Sequence, residues 1–336
     1  MKIDFNDLGL IDYNHREKKD ISPSESLAGA KDFLKKAACS VGEFTGRLIK
    51  EIDIPSVCKL IVKEKIFTSD YVREIAKDTY ILRTDMLFNS FLFVGSERAL
   101  LVDTGFGIDG LEKEVRKITD KPLTVAVTHG HFGCVGGAGA FDTVKVHKRD
   151  LKLARAFNNR LLRRVLFFAS PSRYYHKYTF DDLVTEKPVF STFTKRELKN
   201  GISLGNKVIE VKSVPSHTRG SLAFIDRNTG IAVVGDIITP LGITLLPGSC
   251  DMATYSKNLE EFMNIAEDYT IFCSYLKTPL DRRKVDSFKN LVYRTSNGEN
   301  DYTRFAGLQK SSDYLQFLVY HPYKIRHKSL LERLRK

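Results

Sequence analysis

A chain of 336 residues suits one large domain with attachments, and a make-up of 42% hydrophobic and 28% charged residues excludes a disordered, collagen-like or low-complexity protein. The net charge of +12 is concentrated. Residues 148–177 hold nine basic groups against one acidic, and residues 281–336 hold thirteen against six. Such faces suit a small anionic substrate, and a basic tail also suits nucleic acid or anionic lipid. The longest charge-free run, Pro122–Phe141, is broken by His, Gly and Thr, so no membrane span is expected. The first twenty residues lack an apolar run, and the five scattered cysteines form no disulfide framework. A soluble, cytoplasmic protein is expected. Nothing in the sequence reports its oligomeric state.

The first expected element is helical. Ser22-Pro23-Ser24-Glu25 is a capping box with proline at the first helical position. Leu27, Ala30, Leu34, Ala37, Val41, Phe44 and Leu48 then recur at three-to-four spacing, giving one apolar stripe. From about Tyr71 the pattern becomes strand-like, with runs at Thr79–Arg83, Asn89–Val94 and Ala99–Val102, the last ending at Asp103-Thr104-Gly105. A helix is expected over Ile108–Ile118. Further strands are expected at Leu123–Val127, Val208–Val211, Leu222–Ile225, Ile231–Val234 and Tyr269–Cys273, with helices near Asp150–Phe168 and Tyr255–Ala266. Hairpin strands mixed with strand–helix units indicate an α/β protein with a mixed sheet.

Chemistry-bearing residues fall just after the apolar runs. Thr128-His129-Gly130-His131 follows Leu123–Val127, and Pro215-Ser216-His217-Thr218 follows the strand that begins at Val208. Gly235-Asp236 ends the run at Ile231–Val234, and Ser274-Tyr275 ends that at Tyr269–Cys273. Loops after strands are where open α/β sheets place their sites. His147, His176, His321 and His327 have no spacing partner and read as surface or packing residues.

Taken together, Asn89-Ser90-Phe91-Leu92, Asp103-Thr104-Gly105, THGHFGCVGG at 128–137, SHTRGS at 216–221 and GDII at 235–238 resemble the metallo-β-lactamase superfamily, with its glyoxalase-II-like hydrolase fold. The resemblance covers about residues 71–280. It implies a four-layer αββα sandwich with metal at one edge. It also implies that His129, His131 and His217 fill the first metal site and that Asp236 matches the bridging carboxylate. The usual His-x-His-x-Asp-His motif is broken here, with Gly133 and Cys134 at its last two positions, and Ser274-Tyr275 stands where a late Gly-His is usual. A degenerate second metal site follows.

Three neutral imidazoles leave a zinc ion one open position for water, the arrangement of catalytic zinc sites. One zinc ion is therefore expected, with iron as the alternative, because two His and one carboxylate suit non-haem Fe(II). Asp236 is expected to ligate the metal or orient water, and Tyr275 either to donate a hydrogen bond to substrate or to pack in the core. Cys134 is either a soft metal ligand or a small core residue, and Asp103 a loop-shaping carboxylate. Arg160, Arg163, Arg164 and Arg173 flank an apolar Val165–Phe168 and suggest a lid over residues 148–190 that holds an anion. The expected organisation is an N-terminal helical extension over 1–70, a metallo-β-lactamase-like domain over 71–280 and a basic extension over 281–336. The expected activity is metal-dependent hydrolysis of a small anionic ester, thioester or related compound. Its alternatives are a catalytically degenerate protein with a binding role and a mononuclear iron oxygenase.

Overall fold

The computed structural model describes residues 71–84, 87–159, 162–163, 180–244 and 246–299, with the backbone of 307–310 and 317–320. The capped helix expected from Ser22, the tail helix after Tyr323 and most of the arginine-rich lid lie outside these residues.

Seven strands form the first sheet in chain order: β1 (Tyr71–Ala76), β2 (Thr79–Arg83), β3 (Ser90–Val94), β4 (Ala99–Val102), β5 (Leu123–Ala126), β6 (Val144–Val146) and β7 (Phe190–Thr192). The first four pair antiparallel as hairpins, whereas β4 to β7 run parallel. The second sheet is built from β8 (Ile202–Ser203), β9 (Val208–Ser213), β10 (Leu222–Asp226), β11 (Ile231–Gly235) and β13 (Thr270–Cys273), in the order β13-β11-β10-β9-β8. A smaller sheet joins β12 (Leu241–Ile243), β15 (Phe317–Tyr320) and β14 (Gly307–Lys310).

Side-chain alternation along the strands explains the layering. Phe91, Phe93, Leu100 and Val102 point from the first sheet into one core with Ile209, Val211, Phe224 and Val233 of the second. Their neighbours Leu92, Ala99 and Leu101 face the opposite way. There they meet α1 (Leu111–Ile118), α2 (Phe132–Val135) and α3 (Leu151–Phe157) through Val115, Val135 and Phe157. Both faces of these strands are dry, which is why they read as unbroken apolar runs. Another short helix, α4, covers Lys195–Asn200. On the other side of the second sheet, α5 (Met252–Ala266) and α6 (Arg282–Ser296) form the outer layer, with Tyr255 against Phe288 at 6.4 Å between ring centroids. Thus α6, which lies past residue 280, is a packed element with Val285, Phe288, Leu291 and Val292 buried.

Strand direction places the site. Strands β9, β11 and β13 all point one way, because β10 is antiparallel to both β9 and β11 while β13 is parallel to β11. Their C-terminal ends share an edge, as do those of the parallel strands β4 and β5. The loops after these strands hold Asp103, His129, His131, His217, Asp236 and Tyr275. No helix among the described residues is long and apolar enough to cross a membrane.

Candidate metal centre

His129, His131 and His217 converge at this edge, all three buried, with one ligand atom from each lying within 4.8 Å of the others. The loops after β5 and β9 thus bring together histidines 86 residues apart in sequence. His131 Nδ1 lies 2.9 Å from His217 Nε2, while the other ring nitrogen of His131 donates to Pro247 O at 2.9 Å. That second bond fixes a tautomer in which Nδ1 carries the lone pair. The same logic applies to His129, whose Nδ1 is 3.1 Å from Thr128 Oγ1. The hydroxyl of Thr128 donates to Asp103, so Nδ1 of His129 is the donor and Nε2 is left as the free lone pair, 3.9 Å from Asp236 Oδ2. Burial, together with repulsion from His217 and His131, pushes the His129 pKa well below its ordinary value, so the ring is neutral at physiological pH.

Asp236 enters from the second sheet. A register shift between Val233 and Gly235 precedes it, and Gly235 has φ 56°. A Cβ at that position would lie 2.4 Å from Thr128 Oγ1, so only glycine lets the two loops approach. Asp236 Oδ2 lies 3.6 Å from His217 Nε2 and accepts a 3.0 Å hydrogen bond from Tyr275. Its Oδ1 is buried with no hydrogen-bond partner among the described residues. Three imidazoles and a carboxylate, two of the rings locked with lone pairs inward and one carboxylate oxygen unsatisfied, fit a divalent cation of the zinc or iron type.

Tyr275 is oriented from behind. Asn89 donates to Cys273 O and Leu276 O and accepts from Arg83 and Tyr71, while Arg83 also donates to Tyr275 O. Burial and the nearby Asp236 carboxylate push the Tyr275 hydroxyl well above its ordinary pKa, so it remains a donor. Cys134 lies behind the rings, its Sγ 3.4 Å from His129 Nδ1 and 3.5 Å from Thr128 Oγ1. Burial and the adjacent Asp103 carboxyl raise its pKa strongly, which keeps the thiol protonated. The three-histidine group does not include it. Asp103, fully buried with φ 66°, accepts from both the amide and the hydroxyl of Thr128, and burial raises its pKa to about 7. It shapes the loop that carries His129.

At Gly133 there is no room for a side chain. A Cβ there would lie 2.3 Å from Cε1 of Phe88. The Phe88 ring, packed against Phe132 at 5.7 Å and Tyr275 at 5.4 Å, fills the space that a side chain at position 133 would enter. With Phe106, Ile108 and Leu183 it forms an apolar wall beside the histidines.

Asp150 was missed by the sequence reading. This buried carboxylate accepts from Gly130 N at 3.0 Å, Gly220 N at 2.9 Å and Thr218 Oγ1 at 2.6 Å, so it ties the His129–His131 loop to the His217 loop. The available signal was its isolation, since it is the single acid in the window 148–177. His147 is buried near the same edge, but its Nδ1 accepts from Arg149 N and it stays outside the cluster.

A model of the metallo-beta-lactamase superfamily matches residues 84–274, more than half of the chain. The chain belongs to the metallo-beta-lactamase superfamily. It is an enzyme, a hydrolase of that superfamily. It is 28% identical over 222 residues to the chicken (Gallus gallus) acyl-coenzyme A thioesterase MBLAC2, across 59% of this chain and 69% of that protein. Its match to the human protein of the same name is 27% over 168 residues, across 45% of this chain and 58% of that one, so the matched part spans less than two thirds of the human relative. Among solved structures it is similar to a metallo-beta-lactamase from Erythrobacter litoralis, at 19% identity and TM-score 0.47, across 67% of this chain and 96% of that one.

Proposed function

We propose that this superfamily member is a metal-dependent thioester hydrolase that acts on a small anionic acyl thioester with a single metal ion, zinc in preference to iron. The observation that carries this reading is the convergence of His129, His131 and His217 beside Asp236, with Phe88 leaving no room for a further ligand side chain at position 133. Its substrate class is supported by the similarity to acyl-coenzyme A thioesterases. We assign His129, His131, His217 and Asp236 as the ligand set, and Asp236 with Tyr275 as the catalytic pair. Cys134 is assigned to the layer behind His129, where its protonated thiol packs.

When bound, a metal of this kind supplies Lewis acidity and lowers the pKa of a coordinated water to roughly 7. The protein residues do the rest. Asp236 offers its unpaired Oδ1 to a water proton while Tyr275 steadies Oδ2. The Tyr275 hydroxyl, held as a donor, can shift to oxygen charge that develops on the thioester carbonyl. The Phe88–Phe106–Ile108 wall excludes water from one side and gives an acyl group an apolar surface. The thiolate product is a good leaving group, so loss of a second metal costs a thioesterase less than it would cost an amidase.

In domain terms we assign 71–280 as the catalytic body, with 148–190 as an insertion and 1–70 and 281–336 as extensions, the latter beginning with α6. The buried free thiols of Cys134 and Cys273 support a reducing, cytoplasmic setting.

The test is elemental analysis of untagged protein alongside release of free thiol from an acyl-coenzyme A, for the native chain and His217→Ala. The reading requires one zinc per chain and thiol release, both lost in the variant. Full activity in His217→Ala, or a zinc-loaded protein inert towards every acyl thioester tried, refutes it. Stoichiometric redox-active iron would redirect the assignment to an oxygenase.

A further inference from the structure

Helix α3 ends at Phe157, whose ring packs 5.0 Å from that of His131. Immediately past it, Asn158 and Asn159 open onto a cavity of about 620 Å³ that is closed on the other side by residues 185–190. Its charged lining is Arg155, Arg163 and Lys187 against one acid, Glu186. Arg163 is the unusual member. Its side chain is buried at 4% exposure, its two terminal nitrogens donate to Val184 O and Gly107 O, and its Nε has no partner. Among the described residues no carboxylate lies within ion-pair distance of it. Among the described residues its charge is met by two carbonyls and, at longer range, by the Glu186 carboxylate, and a buried charge with such partial compensation favours the approach of an anion. Burial accordingly lowers its pKa to about 10. Arg155 and Lys187 are exposed at the cavity and, among the described residues, make no ion pair of the kind that Lys145 and Arg227 make elsewhere.

We propose that this cavity is a second binding site, for the phosphate groups of a ligand. Guanidinium and ammonium groups lining one cavity are the chemistry that recognises phosphate oxygens. The site stands apart from the metal centre, behind the Phe157 ring, and this suits a substrate whose phosphates are separated from the cleaved bond by a long arm. An acyl-coenzyme A is such a molecule, and to that extent the source of the phosphate rests on the thioesterase reading. A free phosphate acting as an effector is the other source of the same chemistry.

Calorimetric titration of the full chain with adenosine 3′,5′-bisphosphate and with inorganic phosphate tests the site without reference to activity. Saturable binding is expected to weaken about tenfold or more in Arg155→Ala/Lys187→Ala, at exposed positions whose replacement leaves the melting temperature unchanged. Glu186→Gln, which removes the only acid, should tighten it about twofold to fivefold. If coenzyme A is the source, the double variant also raises KM for an acyl-coenzyme A, and the ratio of that KM to the KM of the corresponding acyl-pantetheine rises by the same factor. A free-phosphate site keeps the calorimetric effect and leaves that ratio alone. Absence of binding by both probes, or binding indifferent to the double variant and to Glu186→Gln, overturns the proposal. Phosphate binding in a protein that hydrolyses no thioester would refute the substrate reading and leave this site standing.

Discussion

Asp150 offers the sharpest test of how the site is built. Its carboxylate is the shared acceptor of Gly130 N, Gly220 N and Thr218 Oγ1, so truncation in Asp150→Ala strands two buried amides and one hydroxyl. Leaving a buried donor unsatisfied costs about 1–3 kcal/mol each. Removing the desolvated charge itself offsets part of that loss, and a net destabilisation of about 3–5 kcal/mol is expected. Asp150→Asn keeps one oxygen as acceptor but turns an NH₂ toward a donor, so about 2 kcal/mol is expected. Because the two loops carry His131 and His217, metal affinity should fall about 10- to 100-fold, the usual effect of losing an outer-shell partner. Urea unfolding of metal-loaded and chelator-treated protein, with a competitive metal titration, measures both quantities. If Asp150→Ala stays within about 0.5 kcal/mol of the native chain and binds metal equally well, the carboxylate is not what holds the loops together.

Gly133→Asp should not create a second metal site, because its Cβ meets the Phe88 ring; a loss of about 1–3 kcal/mol with unchanged metal content is expected by thermal unfolding and elemental analysis. Cys134→Ser should likewise leave metal content unchanged, and a lower stoichiometry would make the thiol a ligand after all. Tyr275→Phe removes one hydrogen bond to a carboxylate, so kcat should fall about tenfold with metal retained, and an unchanged kcat would return the ring to a packing role. The chelated protein has a distinct pH dependence. His129 has a lowered pKa when folded, so below pH of about 6.5 the unfolded chain binds more protons and stability falls as pH drops, by up to about 1.4 kcal/mol per pH unit. His129→Gln should flatten that slope between about pH 5 and 6.5, as urea midpoints would show.

The sequence by itself determined the main strands and placed histidines and carboxylates at their ends. Thr79–Arg83 and Ala99–Val102 are strands with the expected bounds, since short apolar runs bounded by turn residues are too brief for a helix and suit a buried strand. The clustering of the three histidines was legible because each follows an apolar strand and such strand ends share an edge. Short elements such as β6, β7 and α4 were not legible, because three to six residues carry too little periodicity. Nor was α6, whose charged face hides its buried stripe. What only the tertiary structure decided depends on approach between distant segments. Phe88 closing the space at Gly133, Asp150 bridging two ligand loops, and Arg163 buried beside residues 185–187 are all contacts across layers. Sequence patterns record which face of an element is buried; which neighbour fills that face is settled only when the two sheets pack.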